Sequence, residues 1–181
     1  TLFRSRVVWR LPVGHEARIF FAEATLNRQK DGYLPNNDDG TWKSVAMAHE
    51  IMGRSAECDQ ILTDQIVRLS EETPRNVVRR FIYFLRCSIA EIQMQRGTPE
   101  SVSAALKHLL VARESDNRGE ASFLLATAYA RTGDIPNVVS CLEHARSVGG
   151  NRWISRAKSD PVLAEIPQVT QLHAKSARVP R

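Results

Sequence analysis

Residues 119–150 read GEASFLLATAYARTGDIPNVVSCLEHARSVGG, and their pattern decides the fold class. Small and apolar residues recur at helical spacing on both sides of Gly133-Asp134. That spacing predicts two amphipathic helices, about 119–132 and 135–148, joined by a tight turn. Ala126 and Ala145 are small enough to let two helix backbones approach, while Leu125, Tyr129 and Leu142 fill the space between them. The stretch is therefore expected to fold as a helical hairpin.

Helical patterns continue toward the N-terminus. Ala17, Ile19, Phe20, Phe21, Ala24 and Leu26 mark a helix over 16–29, followed by a turn-rich loop from Tyr33 to Gly40. Trp42, Val45, Ala46, Met47 and Ile51 mark a second helix, from about Thr41 to Arg54, with Gly53 closing it. Ile61, Leu62, Ile66, Val67 and Leu69 mark a third, from Ser55 to about Ser70. Thr73-Pro74 opens the longest helix, which runs to about Gln95 and is stopped by Gly97. Thr98 as N-cap and Pro99 in the first turn then start a helix carrying Val102, Ala105, Leu106, Leu109, Leu110 and Ala112.

Beyond Gly150, Trp153, Ile154 and Ala157 indicate a short helix. Asp160-Pro161 reads as the cap and first turn of another, holding Val162, Leu163 and Ile166. Pro167 is expected to break it, leaving Val169 and Leu172 as a last apolar turn. No segment alternates as a strand does. The chain reads as all-α, with eight or nine helices whose short connections favour antiparallel neighbours.

Composition narrows the functional classes. A length of 181 residues suits one domain with a substantial core. A hydrophobic content of 43% with 25% charged residues is ordinary for a soluble globular protein. No run is long and apolar enough for a membrane helix, so no membrane insertion is expected. Cys58, Cys87 and Cys141 are odd in number and form no CxxC pair, which points to buried thiols and leans toward a reducing, cytoplasmic compartment. The histidines at 15, 49, 108, 144 and 173 show no metal-binding spacing. Asn36–Gly40 imitates a calcium loop, but Pro35 and Ala46 would fall at its first and last ligand positions. GxSxG, Walker A and GxGxxG motifs are absent, and Ser and Thr residues lack a placed His/Asp pair, so neither a cofactor nor an enzyme activity is expected. Thr1–Ser5 is what ACG-CTC-TTC-CGA-TCT would encode, the end of a common sequencing adapter, and is expected to be non-native sequence on a piece of a longer protein.

Leu125-Ala126, Tyr129, Gly133, Leu142 and Ala145 together resemble a tetratricopeptide (TPR) unit. A looser copy runs through Trp42, Val45, Ala46, Gly53, Cys58 and Leu62, with His49 where a Tyr is usual and Gln65 where an Ala is usual. A third, Ile89-Ala90, Gly97, Ala105, Leu109 and Ala112, fits only if Thr98-Pro99-Glu100 is an insertion. Trp153-Ile154 with Ala157–Leu163 is similar to the closing helices of many bacterial TPR tracts. The resemblance implies antiparallel helix hairpins stacked as a short TPR-like α-solenoid. Its expected organisation is residues 1–5 non-native, 6–38 an N-terminal helix and loop, 39–150 about three helix pairs, 151–173 capping helices and 174–181 a disordered basic tail.

By position in the repeat, the first helix of each unit would line a groove for a protein or peptide partner. It would include Lys43, Met47 and Glu50, then Cys87, Glu91 and Met94, then Phe123, Thr127, Ala130 and Arg131. Chaperone-binding members of the family use a basic and Asn clamp for a terminal carboxylate. Only Lys43 and Arg131 fit that loosely, so the activity is not carried over. The resemblance implies a non-catalytic interaction scaffold. Two alternatives stand beside it: the regulatory tail of a larger enzyme or signalling protein, and a helical-repeat RNA-binding surface. Nucleic acid is the weaker expectation. It rests on a pI of about 9.4 and on Arg75, Arg79 and Arg86 sharing one helix face, where arginine stems more commonly cover the rim of a buried helix.

Overall fold

The computed structural model of the protein describes residues 15–30, 39–71, 76–116 and 118–177. Among the described residues there are nine helices and no strand. They are α1 (Glu16–Lys30), α2 (Asp39–Ile51), α3 (Ser55–Glu71), α4 (Asn76–Arg96), α5 (Pro99–Ser115), α6 (Glu120–Thr132), α7 (Ile135–Gly149), α8 (Arg152–Ser159) and α9 (Pro167–Ala177).

Local signals set several of the helix ends. Thr98 caps α5 by accepting a hydrogen bond from the Ser101 N–H at 3.2 Å, with Pro99 in the first turn, where no amide is needed. Asp134 caps α7 in the same way, accepting from the Asn137 N–H at 3.2 Å. At the end of α6 the Gly133 N–H donates to the Ala130 carbonyl and the Asp134 N–H to Tyr129. This closure needs φ +77° at Gly133, a conformation that L side chains rarely adopt. Gly53 closes α2 through the same pair of bonds, to Glu50 and, from Arg54, to His49.

Two elements differ from expectation near the C-terminus. Asp160 does cap, accepting from the Val162 and Leu163 N–H groups at 3.0 and 3.1 Å, but it holds a run of turns and not a helix. Pro167 starts α9 where a break was expected, because proline at a first turn forfeits no helical hydrogen bond. The helix then reaches Ala177, past residue 174, where the tail was expected to begin.

The length suits one domain, yet the chain divides into two compact units, one ending at Ile92 and the other beginning at Gln93, within α4. In the first unit α2 packs on both α1 and α3. Its Ala48 meets Ala22 and Leu26 of α1. Its Ala46 and Met47 join Cys58, Leu62 and Ile66 of α3 and Leu85, Ile89 and Ile92 of α4. Four consecutive residues, Val45–Ala48, are therefore buried. The two alanines, Ala48 and Ala46, face α1 and the α3/α4 side respectively, where small side chains permit close approach.

In the second unit α6 packs on α5 and α7, and α8 packs on α7 and α9. Trp153 of α8 reaches across to α6 and stacks on Phe123, with ring centroids 5.5 Å apart and planes at 29°. Its indole lies hard against the end of α7, where a Cβ on Gly149 would fall 2.1 Å from Trp153 Nε1. The Gly149→Ala variant is therefore expected to displace the indole and lose about 1–3 kcal/mol of stability, as overpacked cores do. Urea unfolding followed by circular dichroism measures this, and a midpoint equal to the parent's would show that the indole is not held there.

Candidate functional site

In the first unit, Lys43 projects from α2 and forms an ion pair with Glu91 of α4, its Nζ donating to Oε2. The pair is partly open to solvent, with side chains 40% and 27% exposed. Glu50, the penultimate residue of α2, accepts a hydrogen bond from the Ser55 hydroxyl at 3.2 Å and so ties the α2–α3 turn together. Met47 does not join these polar groups, because it is enclosed by the α3 and α4 side chains of the core.

His49 precedes Glu50 in α2. Burial lowers its pKa from 6.5, the nearby Arg54 charge lowers it further, and Glu57 works in the opposite direction. Its Nδ1 is buried without a hydrogen-bond partner among the described residues.

In the second unit, Arg131 is exposed in the last turn of α6. Phe123 and Thr127 are buried: Trp153 covers the first, and the second donates its hydroxyl back to the Phe123 carbonyl at 3.4 Å. Met94 and Cys87 are also buried, and Ala130 is half-buried. The expected groove set is corrected accordingly. Lys43, Glu50, Glu91 and Arg131 reach solvent, whereas Met47, Cys87, Met94, Phe123 and Thr127 belong to the packing. The reason is visible in α6, where helices on several sides cover positions that a one-faced helix would leave open.

The arginines of the basic face are dissimilar. Arg79 is exposed, while Arg86 is half-buried, has no partner for its Nε among the described residues, and is held below the usual arginine pKa by burial. Arg75 lies outside the described residues. Arg80, on the same helix, places its guanidinium 5.7 Å from the Phe84 ring centre.

Two arrangements escaped the sequence. Ser122 Oγ and His144 Nδ1 lie 2.8 Å apart across the α6–α7 hairpin, but Ser122 is buried, so the pair joins helices and presents no nucleophile to a substrate. The other is on α8, where Arg152 lies over Trp153 and Arg156 lies over both Phe123 and Trp153. Helical periodicity gives no sign of the Ser122–His144 pair or of Arg156 over Phe123, whose partners lie 22 or more residues apart on different helices. Arg152 and Arg156, by contrast, are already neighbours of Trp153 along α8.

All three cysteines are buried thiols outside any disulfide. Burial raises the Cys141 pKa, and the Arg113 charge opposes it. The described residues hold no group of three or more metal-binding side chains, and no helix among them is long and apolar enough to cross a membrane. Compared with protein-family models, with curated proteins and with solved structures, the chain matches none.

The lowered His49 pKa has a consequence for stability. The unfolded chain takes up this proton near pH 6.5 and the folded chain only at lower pH, so stability present above 6.5 is lost as the pH falls toward the folded value. The urea midpoint is expected to fall between about pH 7 and pH 5, and His49→Gln to flatten part of that fall. An unchanged pH slope in the variant would remove His49 as its source.

Proposed function

We propose that the chain is a non-catalytic protein–protein interaction scaffold, a short TPR-like α-solenoid that binds a segment of a partner protein. The observation that carries this reading is the order of helix packing. The principal contacts join sequence neighbours: α1 with α2, α2 with α3, α5 with α6, α6 with α7, α7 with α8 and α8 with α9. Nearest-neighbour packing is the energetic signature of stacked repeats, in which each hairpin buries its apolar face on the next. The left-handed glycines at 53, 97 and 133 support it further, since they fall at the three turns where the repeat places them. The packing of α8 on α7, with Trp153 over Phe123, suits a closing helix for the last hairpin.

In this reading each unit offers its own accessible polar groups to a partner: Lys43, Glu50 and Glu91 in the first, and Arg131 in the second. Neither a metal nor a cofactor has a part. The RNA-binding alternative draws no support from the basic face, where one arginine is in solvent and another is half-buried.

The test is affinity capture on the immobilised chain, followed by titration of the captured protein once purified. Lys43→Glu and Arg131→Glu are each expected to weaken binding about tenfold, as loss of a contacted charge does. Because Lys43 also pairs with Glu91, the swapped pair Lys43→Glu/Glu91→Lys is measured as well. The swap restores the ion pair and so separates a folding defect from a lost contact. A partner indifferent to all of these variants would place the binding surface elsewhere.

A further inference from the structure

We propose that the exposed face of α8 is a docking site for an extended acidic peptide segment of another protein, held by Arg152 and Arg156. The inference stands on the second unit alone and does not depend on the repeat reading. On α8, Trp153, Ile154 and Ala157 are buried, whereas Arg152, Ser155, Arg156, Lys158 and Ser159 are exposed. From His144 to Ser159 the chain carries Arg146, Arg152, Arg156 and Lys158 and no acidic residue, so this part of the surface is cationic.

The two arginines are unusual in how they are held. The Arg152 guanidinium lies 5.0 Å from the Trp153 ring centre, and that of Arg156 lies 4.5 Å from Phe123 and 5.6 Å from Trp153. A guanidinium resting on an aromatic ring keeps its charge and its fork of N–H donors while losing much of its rotational freedom. Less entropy is then lost when a carboxylate arrives, and the fork matches the two carboxylate oxygens. Within the chain, Arg156 meets the half-buried Glu120 only at 4.0 Å. No described carboxylate forms a salt bridge with Arg152 or Lys158, and the Asp160 carboxylate oxygen that follows α8 is taken up by its own turn. Among the described residues, Arg152 and Lys158 of this face therefore have no carboxylate partner.

Spacing and cover choose the occupant. Arg152 and Arg156 are four residues apart on one helix, about 6 Å along its axis. Same-side residues of an extended peptide recur about 7 Å apart, so acidic side chains at alternate positions meet both arginines. Single-stranded nucleic acid also offers anions, but it relies on open aromatic faces for stacking its bases. Here Phe123 and Trp153 are buried, 2% and 7% exposed, beneath the guanidinium groups, and offer no such platform.

The experiment uses the whole chain at low salt and a short fluorescein-labelled peptide with glutamate at alternate positions, read by anisotropy. A glutamine version of the peptide and a single-stranded oligonucleotide of equal charge serve as comparisons. The acidic peptide is expected to bind and the glutamine version not to. Arg152→Gln and the double variant with Arg156→Gln are expected to reduce affinity roughly tenfold or more. Arg152→Lys keeps the charge but not the flat fork, and is expected to lose about threefold. It also guards against a folding artefact, since Arg152 is exposed and circular dichroism checks the helices. Arg131→Glu is expected to leave this binding unchanged, which separates it from the surface proposed above. Absence of binding by the acidic peptide, or affinity unaltered in the double variant, overturns the proposal. So does an oligonucleotide bound as tightly and lost with the same arginines, which would make the face a phosphate surface.

Discussion

Eight consecutive residues of α6, Ala121–Ala128, are buried, and this single constraint organises the second unit. A helix covered on one side shows an apolar stripe and a polar stripe. One with eight successive buried positions needs partners around its circumference, and α6 obtains them from α5, from α7 and from Trp153 of α8. Its sequence obeys: alanines at 121, 126 and 128 permit close backbone approach, and Phe123, Leu124 and Leu125 supply the bulk. The polar members, Ser122 and Thr127, are satisfied locally by His144 and by the Phe123 carbonyl, as buried hydroxyls must be. The neighbouring helices are in this sense arranged around α6, and the glycines at 133 and 149 mark where the chain turns back or yields space to do so.

The first unit solves a related problem with α2. Val45–Ala48 are buried because α1 lies against Ala48 while α3 and α4 lie against Ala46 and Met47. The Lys43–Glu91 pair sits at the edge of this packing, partly solvated. Exposed or half-exposed pairs contribute roughly 0–1 kcal/mol, far less than burying the leucines and isoleucines beside it. Its physical weight is in aligning α2 with α4.

Which parts were legible in the sequence follows from the range of the forces involved. Gly133, Gly53, Thr98 and Asp134 act within five residues, and their turns and caps are where the residue pattern puts them. The ambiguous signals were also local. Asp160 caps a turn as readily as a helix, and Pro167 either breaks a helix or begins one, and nothing in the neighbouring residues decides between them. What could not be read was the number of helices that cover a given face. Met47, Phe123 and Thr127 occupy positions that a hairpin seen alone would leave open, and only the arrival of α3 and α4, or of Trp153 thirty residues along, buries them. The basic face failed for the same reason: Arg79 and Arg86 share a helical azimuth but not an environment.

The cationic face of α8 raises a question of economy in design. Arg152 and Arg156 shield the Trp153 and Phe123 rings, and an exposed guanidinium over a ring contributes about 0.5–1 kcal/mol. A leucine or methionine at either position would cover the same rings by hydrophobic contact alone, with a similar or larger gain in buried area. Shielding therefore explains why something long and flat lies there, and does not explain why it is charged. Solubility explains a charge in general, but lysine provides that without a fixed orientation. The property that distinguishes this arrangement is a pair of positive groups whose donors are held in place before anything binds, with Glu120, 4.0 Å from Arg156, as the carboxylate that meets them among the described residues. A surface built to remain unmatched until an anion arrives has those features, and one built only to cover a tryptophan does not need them.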